Sequence, residues 1–72
     1  MFLKTQKGNI LLNLKNVVKI QKLENTKKIV ITTTNNEEYI VGEFENSEIL
    51  TSVFEKIETQ ILMFSGIVEV KK

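Results

Sequence analysis

The sequence contains no histidine, cysteine, aspartate, arginine, alanine, proline or tryptophan. Without cysteine there is no disulfide framework, and without histidine, cysteine and aspartate the usual zinc ligands and nucleophile–base pairs are missing. Any chemistry would have to use glutamate, lysine, serine, threonine and a single tyrosine. The composition therefore predicts a protein that is not an enzyme and that needs no metal or cofactor.

Long hydrophobic runs are also missing. No stretch approaches the roughly 18 consecutive apolar residues that a membrane span needs. The first residues, "MFLKTQKGNILLNLKN", lack the apolar run and small-residue cleavage site of a signal peptide. With 72 residues, of which 42% are hydrophobic, the chain predicts one globular domain, residues 1–72, in the cytoplasm and away from membranes.

Short β-branched runs separated by turn residues fill the first 44 positions. "NT" at Asn25 and Thr26 and "NN" at Asn35 and Asn36 are each typical of a tight hairpin turn between strands. We therefore expect an α+β fold in which an antiparallel meander sheet of about five strands is packed on one face by a C-terminal helix. Asn46 is the expected N-cap, and the helix is predicted to span Ser47–Ser65 before Gly66.

The predicted helix carries more apolar side chains than one core-facing stripe requires. At about 100° per residue, seven of them share one face. They are Ile49, Leu50, Val53, Phe54, Ile57, Ile61 and Phe64. Leu62 and Met63 fall outside this face, among Glu55 and Glu58. Either the tail folds back so that Ile67 covers Leu62, or these side chains form an exposed surface that meets a partner or a second copy.

The tail alternates as a strand does, with Val68 and Val70 on one side and Ile67 and Glu69 on the other. It could join the chain's own sheet, which we favour, or add to the sheet of a neighbouring subunit. The candidate interface residues for a protein partner or a homo-oligomer are therefore Leu62, Met63, Ile67 and Val70.

Charge is divided unevenly along the chain. Residues 1–34 hold seven lysines and one glutamate, whereas residues 35–72 hold three lysines and eight glutamates. A second candidate surface is thus an outer sheet face that bears Lys19, Lys22, Lys27 and Tyr39, and it would suit nucleic acid because lysines displace counterions from phosphates. The lack of arginine and of further aromatic side chains for base stacking makes this hypothesis weaker than protein binding.

Two runs carry a resemblance: "MFLKTQKGNILLNLKNVVKI" and "EEYIVGEFENSEILTSVFEKIETQI". Together they cover most of the chain and resemble short, mostly uncharacterised proteins of low-GC Gram-positive bacteria and their phages. The resemblance implies a meander followed by a C-terminal helix, and it implies no activity or site. The tail "LMFSGIVEV" departs from that pattern.

Three functions follow as hypotheses. The first is a small non-catalytic interaction protein, encoded by a phage or mobile element, that binds a host protein stoichiometrically as an inhibitor or adaptor. The second is a nucleic-acid-binding module that uses the lysines. The third is an oligomeric sponge for a small molecule, with its pocket between subunits.

Overall fold

The computed structural model describes residues 1–63 and 66–71, which form six strands, one 3₁₀ turn and one α-helix. In chain order these are β1 (Phe2–Lys4), β2 (Leu11–Asn13), the 3₁₀ turn Leu14–Asn16, β3 (Val17–Leu23), β4 (Lys28–Thr33), β5 (Glu38–Glu43), α1 (Ser47–Met63) and β6 (Ile67–Glu69). The α+β class is confirmed. The strands form two three-stranded sheets, in the orders β2-β1-β6 and β3-β4-β5.

β1 is the central strand of the first sheet. It pairs antiparallel with β2, with Leu3 opposite Leu12, and parallel with β6, with Leu3 opposite Val68. Leu3 and Val68 are fully buried because alternate side chains of both strands point into the core. The tail therefore joins the sheet of its own chain, which is the arrangement that the sequence favoured.

The first sheet is tied to the second just beyond β1. The backbone N–H of Gln6 donates to the carbonyl of Val41 in β5 at 2.8 Å, and the Gln6 side chain accepts from the N–H of Glu43 at 2.8 Å. The same edge of the β1 segment thus forms backbone hydrogen bonds with the tail at Phe2 and Lys4 and with β5 at Gln6. As a result, the tail lies next to β5.

The second sheet is an antiparallel meander closed by short loops. The N–H of Thr33 donates to the carbonyl of Glu37 across residues 34–36, and Asn36 has a φ of 65°. A three-residue loop that ends in a left-handed residue is a common hairpin connection. Residues 24–27 form the other loop, in which Lys27 has the positive φ. Both turns lie where the sequence predicts them, but each is longer than two residues.

The expectation of one meander sheet of about five strands is wrong. The chain leaves the first sheet at the 3₁₀ turn, where the side chain of Asn13 accepts from the N–H of Lys15 at 3.0 Å. This local bond competes with continued strand pairing and redirects the chain before β3 begins. Among the strands in the described residues, a continuous meander is formed by β3, β4 and β5 alone.

α1 begins at the predicted residue. The Asn46 side chain accepts from the N–H of Ile49 at 2.9 Å, which confirms Asn46 as the N-cap. Leu50, Val53 and Ile57 are buried. Ile49, Phe54 and Ile61 pack against the core at its border, as the predicted stripe requires. The helix is described to Met63, and the predicted members Phe64 and Ser65 lie outside the described residues.

One core receives side chains from both sheets and the helix. Its buried members are Leu3, Ile29, Ile31, Val41, Leu50, Val53, Ile57, Val68 and Val70. Since the helix is needed to cover the sheets, most of its apolar stripe is used within the chain.

Gly42 lies at a bulge in β5, where Ile29 pairs with Gly42 and Val30 pairs with Ile40. A Cβ atom at Gly42 would lie 2.6 Å from the Phe44 ring and 3.0 Å from a methyl group of Val70. Glycine is required here because β5, the Phe44 ring and the tail meet without space for a side chain.

We predict that Gly42→Ala lowers the free energy of unfolding by about 1–3 kcal/mol, because it overpacks this junction. Urea titration followed by circular dichroism measures the change. The double variant Gly42→Ala/Phe44→Leu should lose less than the sum of its two single variants, since a smaller side chain relieves the clash. Unchanged stability in Gly42→Ala would contradict the packing described.

Candidate functional site

Leu62 and Met63, which we call the helix-end surface, lie in the last turn of α1. Their exposed fractions are 79% and 81%. Ile67 is itself 52% exposed, so it does not bury Leu62 as a folded-back tail would. The structure therefore does not show a tail that folds back so that Ile67 covers Leu62. They are surplus to the core and face solvent.

A groove adjoins the helix-end surface, between β3 and α1. Its volume is about 260 Å³, and its lining is Ile20, Phe54, Ile57, Glu58, Ile61 and Leu62. Five of these six residues are apolar, so the groove extends the helix-end surface along the helix toward β3. An apolar groove beside exposed apolar side chains is a feature typical of protein-binding surfaces.

Ile67 lies on the outer face of the first sheet, where it pairs with Phe2 of β1. Phe2 is 40% exposed and Leu11, on the same face of β2, is 52% exposed. Four peptide units separate Met63 from Ile67 along the chain, so their Cα atoms are at most about 14 Å apart. The helix-end surface and this sheet face thus belong to the same end of the molecule.

Val70 is not part of this exposed surface. It is only 3% exposed, and its N–H donates to the carbonyl of Lys4 at 3.0 Å. One of its methyl groups lies beside Gly42 of β5. The Val70 side chain is not available for an apolar surface contact, because the tail strand directs Val68 and Val70 into the core and leaves Ile67 and Glu69 outside.

The predicted lysine face does not assemble on one side of the second sheet. Lys22 lies toward the helix, with its ammonium 5.8 Å from the centre of the Phe54 ring and 3.4 Å from the Thr51 hydroxyl. Lys19 is exposed and, three positions earlier on the strand, lies on the opposite face. Lys27 lies in the loop after β3. The three lysines thus do not share one face of the sheet.

Tyr39 also lies on the inner side rather than on the outer face. It pairs with the fully buried Ile31 and packs against the core. Its hydroxyl donates to the Glu37 carboxylate at 3.3 Å. Ile40 takes the exposed position instead, because the bulge in β5 shifts the alternation of inner and outer side chains.

Two contributors to the exposed apolar surface were missed by sequence reasoning. Neither Phe2 nor Leu11 is among the surface residues that the sequence predicts. The signal was present in "FLK", because burial of Leu3 in a strand forces Phe2 and Lys4 to the other side. The place of Ile20 in the groove depends on the position of the helix beside β3, which the strand pattern alone does not reveal.

Comparisons with protein-family models, with curated proteins and with solved structures found no match for this chain. Among the described residues, no helix is both long enough and apolar enough to span a bilayer.

We predict that Leu62→Glu/Met63→Glu changes the free energy of unfolding by no more than about 0.5 kcal/mol per substitution, because both side chains are exposed. By contrast, Leu50→Ala should cost about 2–5 kcal/mol, since Leu50 is fully buried in the same helix. Chemical denaturation of the three proteins provides the comparison. A large loss in the double variant would mean that the helix end is part of the core.

Proposed function

We propose that this chain is a non-catalytic interaction protein that binds another protein stoichiometrically through its helix-end surface. The observation that supports this most directly is the four-fifths exposure of both Leu62 and Met63. Neither side chain contributes to the core, and the two lie next to each other beside an apolar groove, an arrangement typical of surfaces that bind a partner.

The chemistry of the surface suits a protein partner. Methionine is enriched at interfaces because its flexible thioether adapts to irregular apolar surfaces. The neighbouring groove offers Phe54 and Ile61 as a recess into which an apolar side chain of the partner can fit, with Glu58 at its border. An apolar centre with a polar border is the usual anatomy of a specific interface.

The mode of action that we propose is occupation of a surface on a host protein, as an inhibitor or adaptor of phage or mobile-element origin. Its support is the resemblance of the two long runs to small proteins of low-GC Gram-positive bacteria and their phages. Binding by surface occupation needs no catalytic group, which agrees with a composition that lacks histidine, cysteine and aspartate.

Nucleic-acid binding has less support. Lys22 is engaged by Glu24 at 3.9 Å and lies over Phe54, while Lys19 points to the other side of the sheet. A phosphate backbone binds best to several cations that it can contact together. No specific observation favours this alternative or a small-molecule sponge over protein binding.

Affinity capture from host lysate tests the proposal. We expect wild-type protein to retain a partner at 0.3 M salt, a value of the order at which Debye screening weakens contacts between exposed charges. Leu62→Glu/Met63→Glu should lose that partner, because it places two carboxylates in an apolar contact.

Val18→Glu/Ile40→Glu is the matched control. It replaces two other exposed apolar residues, 62% and 51% exposed, on the second sheet. The control should retain the partner in a one-to-one ratio. Equal recovery by both double variants would exclude the helix-end surface as the contact, and loss of the partner at 0.3 M salt alone would favour an electrostatic mode.

A further inference from the structure

β6 exposes one edge of the first sheet. Its bonds to β1 include the Phe2 N–H to the Gly66 carbonyl at 2.7 Å and the Val70 N–H to the Lys4 carbonyl at 3.0 Å. Because backbone groups alternate in direction along a strand, those of Ile67 and Glu69 point away from β1. In the described part of the chain no strand lies on that side of β6. An unpaired edge of this kind is a template for another strand.

The opposite edge of the same sheet, on β2, is less suited to receive a strand. The chain bends out of β2 into the 3₁₀ turn immediately after Asn13, whose side chain accepts from the Lys15 N–H. β6 instead borders a groove of about 270 Å³ on its helix side, formed with Val53, Lys56 and Gln60. This groove gives an added strand space for its side chains.

The charges on the outer face of β6 are arranged so that the strand complements itself. The Glu69 carboxylate lies 4.0 Å from the Lys4 ammonium and 3.6 Å from that of Lys71. Glu69 and Lys71 lie two residues apart on the same face. In two copies of this segment, opposite charges face each other only when the segments run antiparallel. Each carboxylate then faces an ammonium, whereas parallel copies would place like charges side by side.

We propose that the tail from Glu69 to Lys71, at the end of β6, is a dimerisation segment whose occupant is the same segment of a second copy, paired antiparallel about a two-fold axis at Val70. Glu69 then faces Lys71 of the second copy, and the reverse pair follows by symmetry. On the outer face each carboxylate lies between Lys4 of its own chain and Lys71 of the other. Backbone pairing of Glu69 with Lys71 across the axis joins the two first sheets edge to edge. This contact uses a backbone edge and leaves the helix-end surface free for the partner proposed above.

Sedimentation equilibrium of the full chain tests the dimer. At about 0.5 mM, a concentration at which even micromolar-to-millimolar association is populated, we expect a mass near twice the 8.3 kDa of the chain. Glu69→Pro should sediment as a monomer, because it removes an outward N–H without breaking a bond to β1. Leu11→Pro makes the same change at the outward edge of β2 and should remain dimeric. A monomeric wild-type protein at this concentration would overturn the proposal.

Charge reversal tests the register without altering the backbone, so it serves even if a proline variant fails to fold. Lys71→Glu creates two carboxylate–carboxylate pairs per dimer, and we expect about tenfold weaker dimerisation. The triple variant Lys4→Glu/Glu69→Lys/Lys71→Glu inverts every charge in the row and should restore the wild-type association. Failure of Lys71→Glu to weaken the dimer, or of the triple variant to restore it, would reject this register.

The two proposals fail separately. Leu62→Glu/Met63→Glu should leave the dimerisation constant unchanged, because neither residue lies on the β6 edge. Loss of the dimer in that variant would instead assign self-association to the helix-end surface and overturn the edge pairing.

Discussion

The structure depends on the pairing of β1 with three different parts of the chain. Leu3, at its centre, is fully buried between Leu12 on one side and Val68 on the other. One residue beyond the buried Thr5, Gln6 bonds to β5 in the second sheet. A chain of 72 residues has little apolar area to spare, so a strand that joins two sheets and the tail is its main long-range constraint.

This constraint determines which apolar residues remain on the surface. Pairing with β1 draws Val68 and Val70 into the core and fixes Ile67 on the outer face beside Phe2. Once the tail is held in the first sheet, it does not cover the last turn of α1. Leu62 and Met63 are left in solvent, and the groove that ends at Leu62 stays open. The candidate interface is thus a consequence of how the tail is anchored.

The sequence was sufficient where the cause is local. The Asn46 cap, the described part of the α1 stripe and the turn at Asn35 and Asn36 depend on neighbouring residues, and the structure confirms the position of each. The division into two sheets could not be predicted in the same way. The 3₁₀ turn that separates the sheets is stabilised by a hydrogen bond from the Lys15 N–H to the Asn13 side chain, and such a bond leaves no trace in the pattern of hydrophobic residues. Parallel pairing of the tail with β1 joins residues more than sixty positions apart, and nothing in the local pattern specifies it.

The candidate site divides in the same way. Leu62 and Met63 could be predicted because the helical period alone places them outside the core stripe. Val70 and Tyr39 were misplaced because their faces depend on partners elsewhere: β1 for the tail, and the bulge beside Gly42 for β5. Lys22 was misplaced because the sequence does not reveal that the helix crosses beside β3, where Phe54 and Thr51 receive its ammonium.

The central claim is that anchoring of the tail on β1 leaves the apolar side chains at the end of α1 open to solvent. Methyl NMR with a soluble paramagnetic probe, on dilute protein, measures this directly. The account predicts strong broadening of the Leu62 and Met63 methyl signals, with the Val68 and Val70 signals protected. Protection of Leu62 and Met63 in the dilute chain, or broadening of Val68 and Val70, would contradict it.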